Sequence, residues 1–139
     1  MAKKGFRGPE IVRKFEEAID EGFASFLVNT QSKLSASSPV DTGRLASSWV
    51  IGKGRPDRAS PGERQRGSRR VSIDRYSGKI TAQGDWYISS NLPYAERAAF
   101  DPGYTGRLGG TNGQWFTSIE NRLPEDARRS INSALSKVK

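Results

Sequence analysis

The sequence contains no cysteine and no histidine. Without cysteine there is no disulfide framework and no thiolate nucleophile, and without histidine the commonest general base and metal ligand are both missing. Only carboxylate or hydroxyl–lysine chemistry stays open, and the spacing of the acids matches neither a paired-carboxylate site nor an oxygen-ligand loop. We therefore expect a protein that is not an enzyme and that has no catalytic residue, resident metal or cofactor.

Apolar residues are also scarce. Hydrophobic side chains make up 34% of the 139 residues, whereas 22 residues are glycine or proline. This composition predicts one domain with a modest core. The apolar runs are a few residues long, far short of the roughly 20 that span a bilayer, and the first residues lack the apolar stretch of a signal peptide. We expect a chain that is not secreted and has no membrane partner.

Positive charge is abundant, since 23 basic residues against 15 acidic ones give a net charge of +8. This excess suggests a polyanionic neighbour or, alternatively, a surface that serves only solubility. Residues 52–70 hold much of it and contain almost no aliphatic side chain, which predicts a flexible basic loop. Seven basic residues of this loop are candidate contacts to DNA or to a partner protein: Lys53, Arg55, Arg58, Arg64, Arg66, Arg69 and Arg70.

Two long helices are predicted, one near each end of the chain. After a basic arm over residues 1–8, apolar residues recur every three or four positions from Pro9 to about Ala36. A helix of that length spans about 40 Å, more than one small sheet needs, so part of it is expected to reach a neighbour. A short helix is predicted over 94–100. The C-terminal helix starts near Trp115, and Pro124 either kinks it or divides it.

Strands are predicted between these helices. Apolar side chains alternate over Leu45–Ile51, a hairpin is expected at Ser77-Gly78 within residues 71–83, and a further strand over Trp86–Ser90. The predicted fold class is α+β: a single domain over 9–139 in which the N-terminal and C-terminal helices pack on an antiparallel sheet of three to four strands, with the long basic loop at 52–70.

Two short motifs have a structural interpretation. In the first, residues 38–45 followed by Ser48-Trp49, the proline ends the helix, an aspartate caps the next turn, a glycine allows an unusual dihedral angle, and two apolar side chains enter the core. In the second, residues 90–96, a proline stops a strand and a tyrosine supplies an amphipathic anchor. The residues that carry the motifs are Pro39, Asp41, Thr42, Gly43, Leu45, Trp49, Asn91, Pro93, Tyr94 and Glu96.

In their order and separation these segments resemble the "P-V-D-T-G-x-L…S-W" and "N-x-x-P-Y-A…E" motifs of the minor tail, tail-completion and neck proteins of tailed phages and prophages. The resemblance covers nearly the whole chain. It departs from the family in the long basic loop and at residues 97–103, where relatives often have a glycine soon after the tyrosine motif.

The resemblance implies a structural virion protein that forms a homo-oligomeric ring, contacts other neck, connector or tail proteins, and is present in the host cytoplasm during assembly. Such a ring surrounds the DNA channel, so the basic loop would meet the DNA backbone or dock on an acidic face of a neighbouring ring. The alternative, from another class, is a basic protein that binds nucleic acid without sequence specificity through phosphate contacts.

Overall fold

The computed structural model describes residues 8–38, 44–57, 73–93, 95–100 and 115–138. Within these ranges the fold is α+β, rich in helix, with one small antiparallel sheet. The elements in chain order are α1 (Gly8–Ser37), α2 (Arg44–Ser47), β1 (Val50–Lys53), β2 (Trp86–Ser89), α3 (Ala95–Phe100) and α4 (Trp115–Leu135).

The predicted N-terminal helix is confirmed and is slightly longer than expected. α1 has 30 residues, with Pro9 and Glu10 in its first turn. It ends where the backbone N–H and the hydroxyl of Ser38 both donate to the carbonyl oxygen of Leu34, at 3.1 and 2.6 Å. These two bonds satisfy a carbonyl at the helix C-terminus, a position where helical backbone acceptors lack intrahelical partners.

Helices α1 and α4 form the main layer of the molecule and pack very closely. A Cβ atom on Gly22 would lie 2.7 Å from Cα of Ile131 and 2.9 Å from the carbonyl oxygen of Ser130, so the two backbones touch there. Farther along, Nζ of Lys33 lies 2.9 Å from Oδ2 of Asp126. Because increasing residue numbers on α1 meet decreasing numbers on α4, the helices run antiparallel.

The C-terminal helix is one element. Pro124 lies inside α4, which continues on both sides from Trp115 to Leu135. Of the two alternatives left open for Pro124, division of the helix is therefore excluded. A proline removes one backbone donor from the helix interior, and packing against α1 over most of the length of α4 offsets that loss.

The prediction of three to four strands is wrong for the described residues. The sheet has two strands, with Val50 opposite Ser89 and Lys53 opposite Trp86. The predicted strand over Leu45–Ile51 is instead a helical turn, α2, followed by β1, which starts five residues later than expected. The hydroxyl and N–H of Ser48 close this turn on the carbonyl oxygen of Leu45 at 2.6 and 3.0 Å.

The described part of the predicted hairpin, residues 73–83, is also not strand. Its polar groups bond to α1 rather than to a neighbouring strand: the carbonyl of Asp74 accepts from Gln31, and the N–H of Ala82 donates to Oδ1 of Asp20, both at 2.9 Å. Positive φ angles among the described glycines occur at Gly54 and Gly84, not at Gly78, where the predicted turn required one. Hydrogen bonds to side chains of α1 thus take the place of the hydrogen bonds expected between two strands.

The core lies where α1, α2, α3 and α4 converge. Leu45 and Trp49 are buried there, 2% and 4% exposed, so the expectation that both enter the core is confirmed. The remaining buried members of this cluster are Leu34, Leu92, Ala98, Ala99 and Trp115.

Candidate assembly site

The two sequence motifs meet in space. The hydroxyl of Ser48 donates to the carbonyl oxygen of Leu45 at 2.6 Å and lies 2.6 Å from the hydroxyl of Ser90. Since a hydroxyl has one hydrogen, Ser90 is the donor in the second bond. This bond joins residues 42 positions apart and connects the first motif directly to the start of the second.

An aromatic cluster lies beneath this junction. The ring of Trp49 packs edge-on against Trp115 and stacks on Phe116, with both centroid distances at 6.1 Å. The indole N–H of Trp115 donates to the carbonyl oxygen of Ala98 at 2.9 Å, which ties α4 to α3. Both tryptophans are buried, and aromatic pairs of this geometry add to the stability gained from burial alone.

A buried amide on α1 organises the chain around Trp49. Gln31 is fully buried, and its Nε2 donates to the carbonyl oxygens of Trp49 and Asp74, each at 2.9 Å. Its Oε1 accepts from Nη1 of Arg75 at 3.1 Å, and Nη2 of the same guanidinium donates to Ser32 at 2.9 Å. The Gln31 amide thus attaches two separate segments to α1: the residues just before β1 and the segment around residue 74.

The start of the basic segment is held close to the second motif. After β1, Gly54 has φ of +78° and donates its N–H to the carbonyl oxygen of Asp85 at 2.7 Å. Nδ2 of Asn91 donates to the carbonyl oxygen of Asp57 at 2.6 Å. The ammonium of Lys53 lies 5.6 Å from the centre of the Trp86 ring, a cation–π contact.

The sequence-predicted residues divide into two groups. Lys53, Arg55, Asn91, Pro93 and Glu96 are exposed at the surface, in contrast to the buried Leu45 and Trp49. The others lie outside the described residues: Pro39, Asp41, Thr42, Gly43, Tyr94, Arg58, Arg64, Arg66, Arg69 and Arg70. The expected cap, the unusual glycine dihedral and most of the basic loop belong to this second group.

An apolar groove of about 350 Å³ runs between α1, β2 and α4. Phe23 and Trp86 lie on its walls with ring centroids 6.4 Å apart, and Phe26, Ile88 and Ile119 complete its lining. Phe26 is buried in it, whereas Trp86, Ile88 and Ile119 are half-buried. The groove is therefore a partly open extension of the core.

A second apolar surface lies on the N-terminal part of α1. Val12 and Phe15 are 53% and 44% exposed, and the first buried residue of the helix is Ala18. Both side chains follow the same helical spacing as the buried residues farther along, so an amphipathic pattern continues past the end of the core. The sequence predicted the length of α1, but it did not predict which of its apolar residues would be exposed.

Titratable groups in the described ranges are almost all on the surface. Asp126 is half-buried, and its pKa is lowered, first by the hydrogen bond from Lys33 and further by the charges of Lys33, Arg122 and Arg129. Among the described residues, three or more acidic side chains never come close enough together to hold a metal ion. Nor does a described helix have the length and apolar character to cross a membrane.

Sequence reasoning missed the polar residues that hold this site together. Gln31 was not predicted to be buried because it is polar. It nevertheless stands one turn before Leu34 and four positions after Leu27, in phase with the buried face of α1. Ser38 stands at the start of the first motif without an assigned role, yet its hydroxyl accepts the indole N–H of Trp49 at 2.9 Å. Helical phase was the available signal for Gln31. None pointed to the bond between Ser48 and Ser90.

Comparison with protein-family models, with curated proteins and with solved structures gives no significant match.

Proposed function

We propose that this chain is a structural virion protein that forms a homo-oligomeric ring at the neck or the tail end of a tailed phage, where it serves head–tail joining or tail completion. The observation that carries the proposal is the direct contact between the two motif segments, through Ser48 and Ser90 and through the core shared by Trp49 and Leu92. Residues that resemble a family's motifs, far apart in sequence, build one structural junction.

The roles of the described motif residues support a structural function. Leu45 and Trp49 fill the core, Ser48 closes a turn, and Asn91 holds the backbone at Asp57. Each contact fixes backbone rather than presenting a reactive group to solvent. In the proposed function the chain is not an enzyme. It is found in the virion and in the host cytoplasm during assembly. It acts through contacts with its own copies and with other neck, connector or tail proteins.

Electron microscopy of particles from a phage that lacks the gene tests this function. We expect separated heads and tails, or tails with an abnormal end, and restoration of infectious particles when the wild-type chain is supplied in trans. As a matched control, the surface variant Ser136→Ala is supplied in trans instead of the wild-type chain, and it should restore infectious particles equally well. Normal infectious particles without the gene would refute the proposal.

A second candidate function rests on the positive charge. Lys53 and Arg55 are exposed at the start of a segment that holds five more basic residues before residue 71. Such a segment attracts phosphates without reading bases. Fluorescence polarisation with labelled DNA at increasing salt tests it: binding that weakens steeply with salt supports this function, whereas no binding at about 50 mM salt refutes it.

A further inference from the structure

Strand β2 pairs with β1 on one side, and its other edge carries backbone groups without a partner. In an antiparallel ladder, every second residue pair exchanges hydrogen bonds. The N–H of Gly54 donates to the carbonyl oxygen of Asp85, so the next residue of β2 that bonds to β1 is Tyr87. Trp86 and Ile88 therefore direct their N–H and C=O groups to the outer edge. Within the described ranges, no hydrogen bond reaches those groups.

The side chains along this edge are apolar and partly exposed. Tyr87 is 40% exposed on one face of the strand, and Trp86 and Ile88 are half-buried on the other face. Natural sheet edges often carry a charge, a proline or a bulge that prevents pairing with another chain. β2 has no charged residue and no proline, and its register with β1 is continuous. Only its short length opposes the addition of a further strand.

This edge is complementary to a second copy of itself. When two copies of β2 run antiparallel about a two-fold axis at Tyr87, Trp86 of each copy lies opposite Ile88 of the other. Each of these pairs exchanges two hydrogen bonds, so every outward N–H and C=O group gains a partner. The two Tyr87 side chains face each other, and aromatic and aromatic–β-branched pairs across strands are stabilising. The next pair, Asp85 opposite Ser89, brings no like charges together.

We propose that β2 of one copy pairs antiparallel with β2 of a second copy and joins the two small sheets into one. The contact has two-fold symmetry, so by itself it produces a dimer and does not close a ring. The inference therefore goes beyond the proposed function. The strand supplies four residues, against the roughly 20–30 on each side of a stable interface. The dimer is therefore weak and forms at high protein concentration.

Charge substitutions at Tyr87 test the symmetry of this contact. Sedimentation velocity of the full-length chain, from about 10 μM to about 1 mM, should show a monomer–dimer equilibrium for the wild type. Tyr87→Lys and Tyr87→Glu should each weaken dimerisation by about tenfold or more, because two like charges then face each other across the axis. A mixture of the two variants should dimerise more strongly than either alone, since opposite charges then face each other.

A matched control is available on α1. Phe15 is another exposed aromatic residue, 44% exposed, so Phe15→Lys makes the same kind of change away from β2. It should leave dimerisation unchanged. A loss of dimers in Phe15→Lys together with their persistence in Tyr87→Lys would place the contact on α1 and overturn the inference. Circular dichroism verifies that each variant is folded.

Disulfide trapping tests the register, and the absence of native cysteine makes it unambiguous. In the proposed pairing the two Cα atoms at position 87 form a non-hydrogen-bonded pair about 4.5 Å apart, within the range that a disulfide spans. Tyr87→Cys should therefore give a covalent dimer on mild oxidation. Asp85→Cys is the matched control, because Asp85 is also exposed. Its two copies would lie more than about 13 Å apart along the strands and should form far less covalent dimer.

Several outcomes would overturn the inference. A wild-type chain that stays monomeric up to about 1 mM does so, and would leave the edge of β2 to a strand of another protein. Equal cross-linking of Tyr87→Cys and Asp85→Cys does so as well, because it shows collision rather than a fixed register. Head–tail joining in the phage lacking the gene is measured separately, so the proposed function and this contact can each fail without the other.

Discussion

The indole N–H of Trp49 donates to the hydroxyl oxygen of Ser38 at 2.9 Å, and that hydroxyl donates in turn to the carbonyl oxygen of Leu34 at 2.6 Å. All three residues are buried. The last turn of α1 and the entry to β1 are thereby joined through one serine. Such a short polar chain in the core is stabilising only while each donor keeps its acceptor.

Ser38→Ala should lower the free energy of unfolding by about 1–3 kcal/mol, because the indole N–H of Trp49 is left buried without an acceptor. Urea unfolding followed by circular dichroism measures it. In the background Trp49→Phe, where that N–H is gone, Ser38→Ala should cost clearly less. Ser136→Ala, at an exposed serine, is the control and should change stability by less than about 0.5 kcal/mol. Equal costs of Ser38→Ala in both backgrounds would contradict the role given to this bond.

Gln31→Leu should be more damaging although it replaces a polar core residue with an apolar one of similar size. The change leaves the carbonyl oxygens of Trp49 and Asp74 without their donor and removes an acceptor from Arg75. One buried carbonyl and one partly buried carbonyl, both without this donor, predict a loss of about 2–4 kcal/mol in the free energy of unfolding. The matched exposed variant on the same helix, Asn29→Leu, should lose little. A neutral or stabilising Gln31→Leu would show that water replaces these bonds.

Gly22→Ala should change stability through two effects of opposite sign, a gain in helix propensity and a steric clash with α4. Alanine favours an isolated helix over glycine by about 1 kcal/mol. Here, however, the new Cβ would approach the backbone of Ile131 to 2.7 Å and the carbonyl of Ser130 to 2.9 Å, so α1 and α4 must move apart. Overpacking of this kind costs about 1–3 kcal/mol or more, and we expect a net fall in the thermal unfolding temperature. A rise in that temperature would mean that the two helices are not in close contact.

The parts of the fold that were predictable are those with local causes. Helical phase and Pro9 predicted α1 within two residues, and the same periodicity predicted α4. The strand at 45–51 failed because Leu45 and Trp49 are four residues apart, a spacing that a helical turn and an alternating strand both place on one face. The hairpin prediction failed in its described part, residues 73–83, because polar groups there pair with side chains of α1. Such contacts between distant residues leave no signal in the local sequence pattern.

Only the apolar members of the candidate site, Leu45 and Trp49, were predicted correctly, whereas the buried Gln31 and the arrangement of the site were not. The motif residues were interpreted as structural because none supplies reactive chemistry, and of that interpretation the burial of Trp49 is confirmed. The bond between Ser48 and Ser90 depends on how two distant segments fold together.

The ion pair between Lys33 and Asp126 predicts a pH dependence of stability with a definite sign. The hydrogen bond from Lys33 lowers the pKa of Asp126 in the folded protein below its unfolded value of about 3.9. The unfolded chain therefore binds this proton more readily, so the pair stabilises the fold above about pH 4, and that contribution is lost as the pH falls through the lowered pKa. Asp126→Asn should reduce the free energy of unfolding near pH 7.

The expected loss is modest, about 0.2–1 kcal/mol, because the side chain of Lys33 is 50% exposed and solvent screens the pair. Urea unfolding at pH 7 and at about pH 2.5 measures it, and the difference between wild type and Asp126→Asn should shrink at the lower pH, because the carboxylate of Asp126 loses its charge as the pH falls through the lowered pKa. High salt at pH 7 should shrink it as well. Glu125→Gln, which breaks the exposed pair with Arg129 on the same helix, is the matched control and should have a smaller effect. A difference that stays constant from pH 7 to pH 2.5 would mean that Asp126 acts through packing, not through its charge.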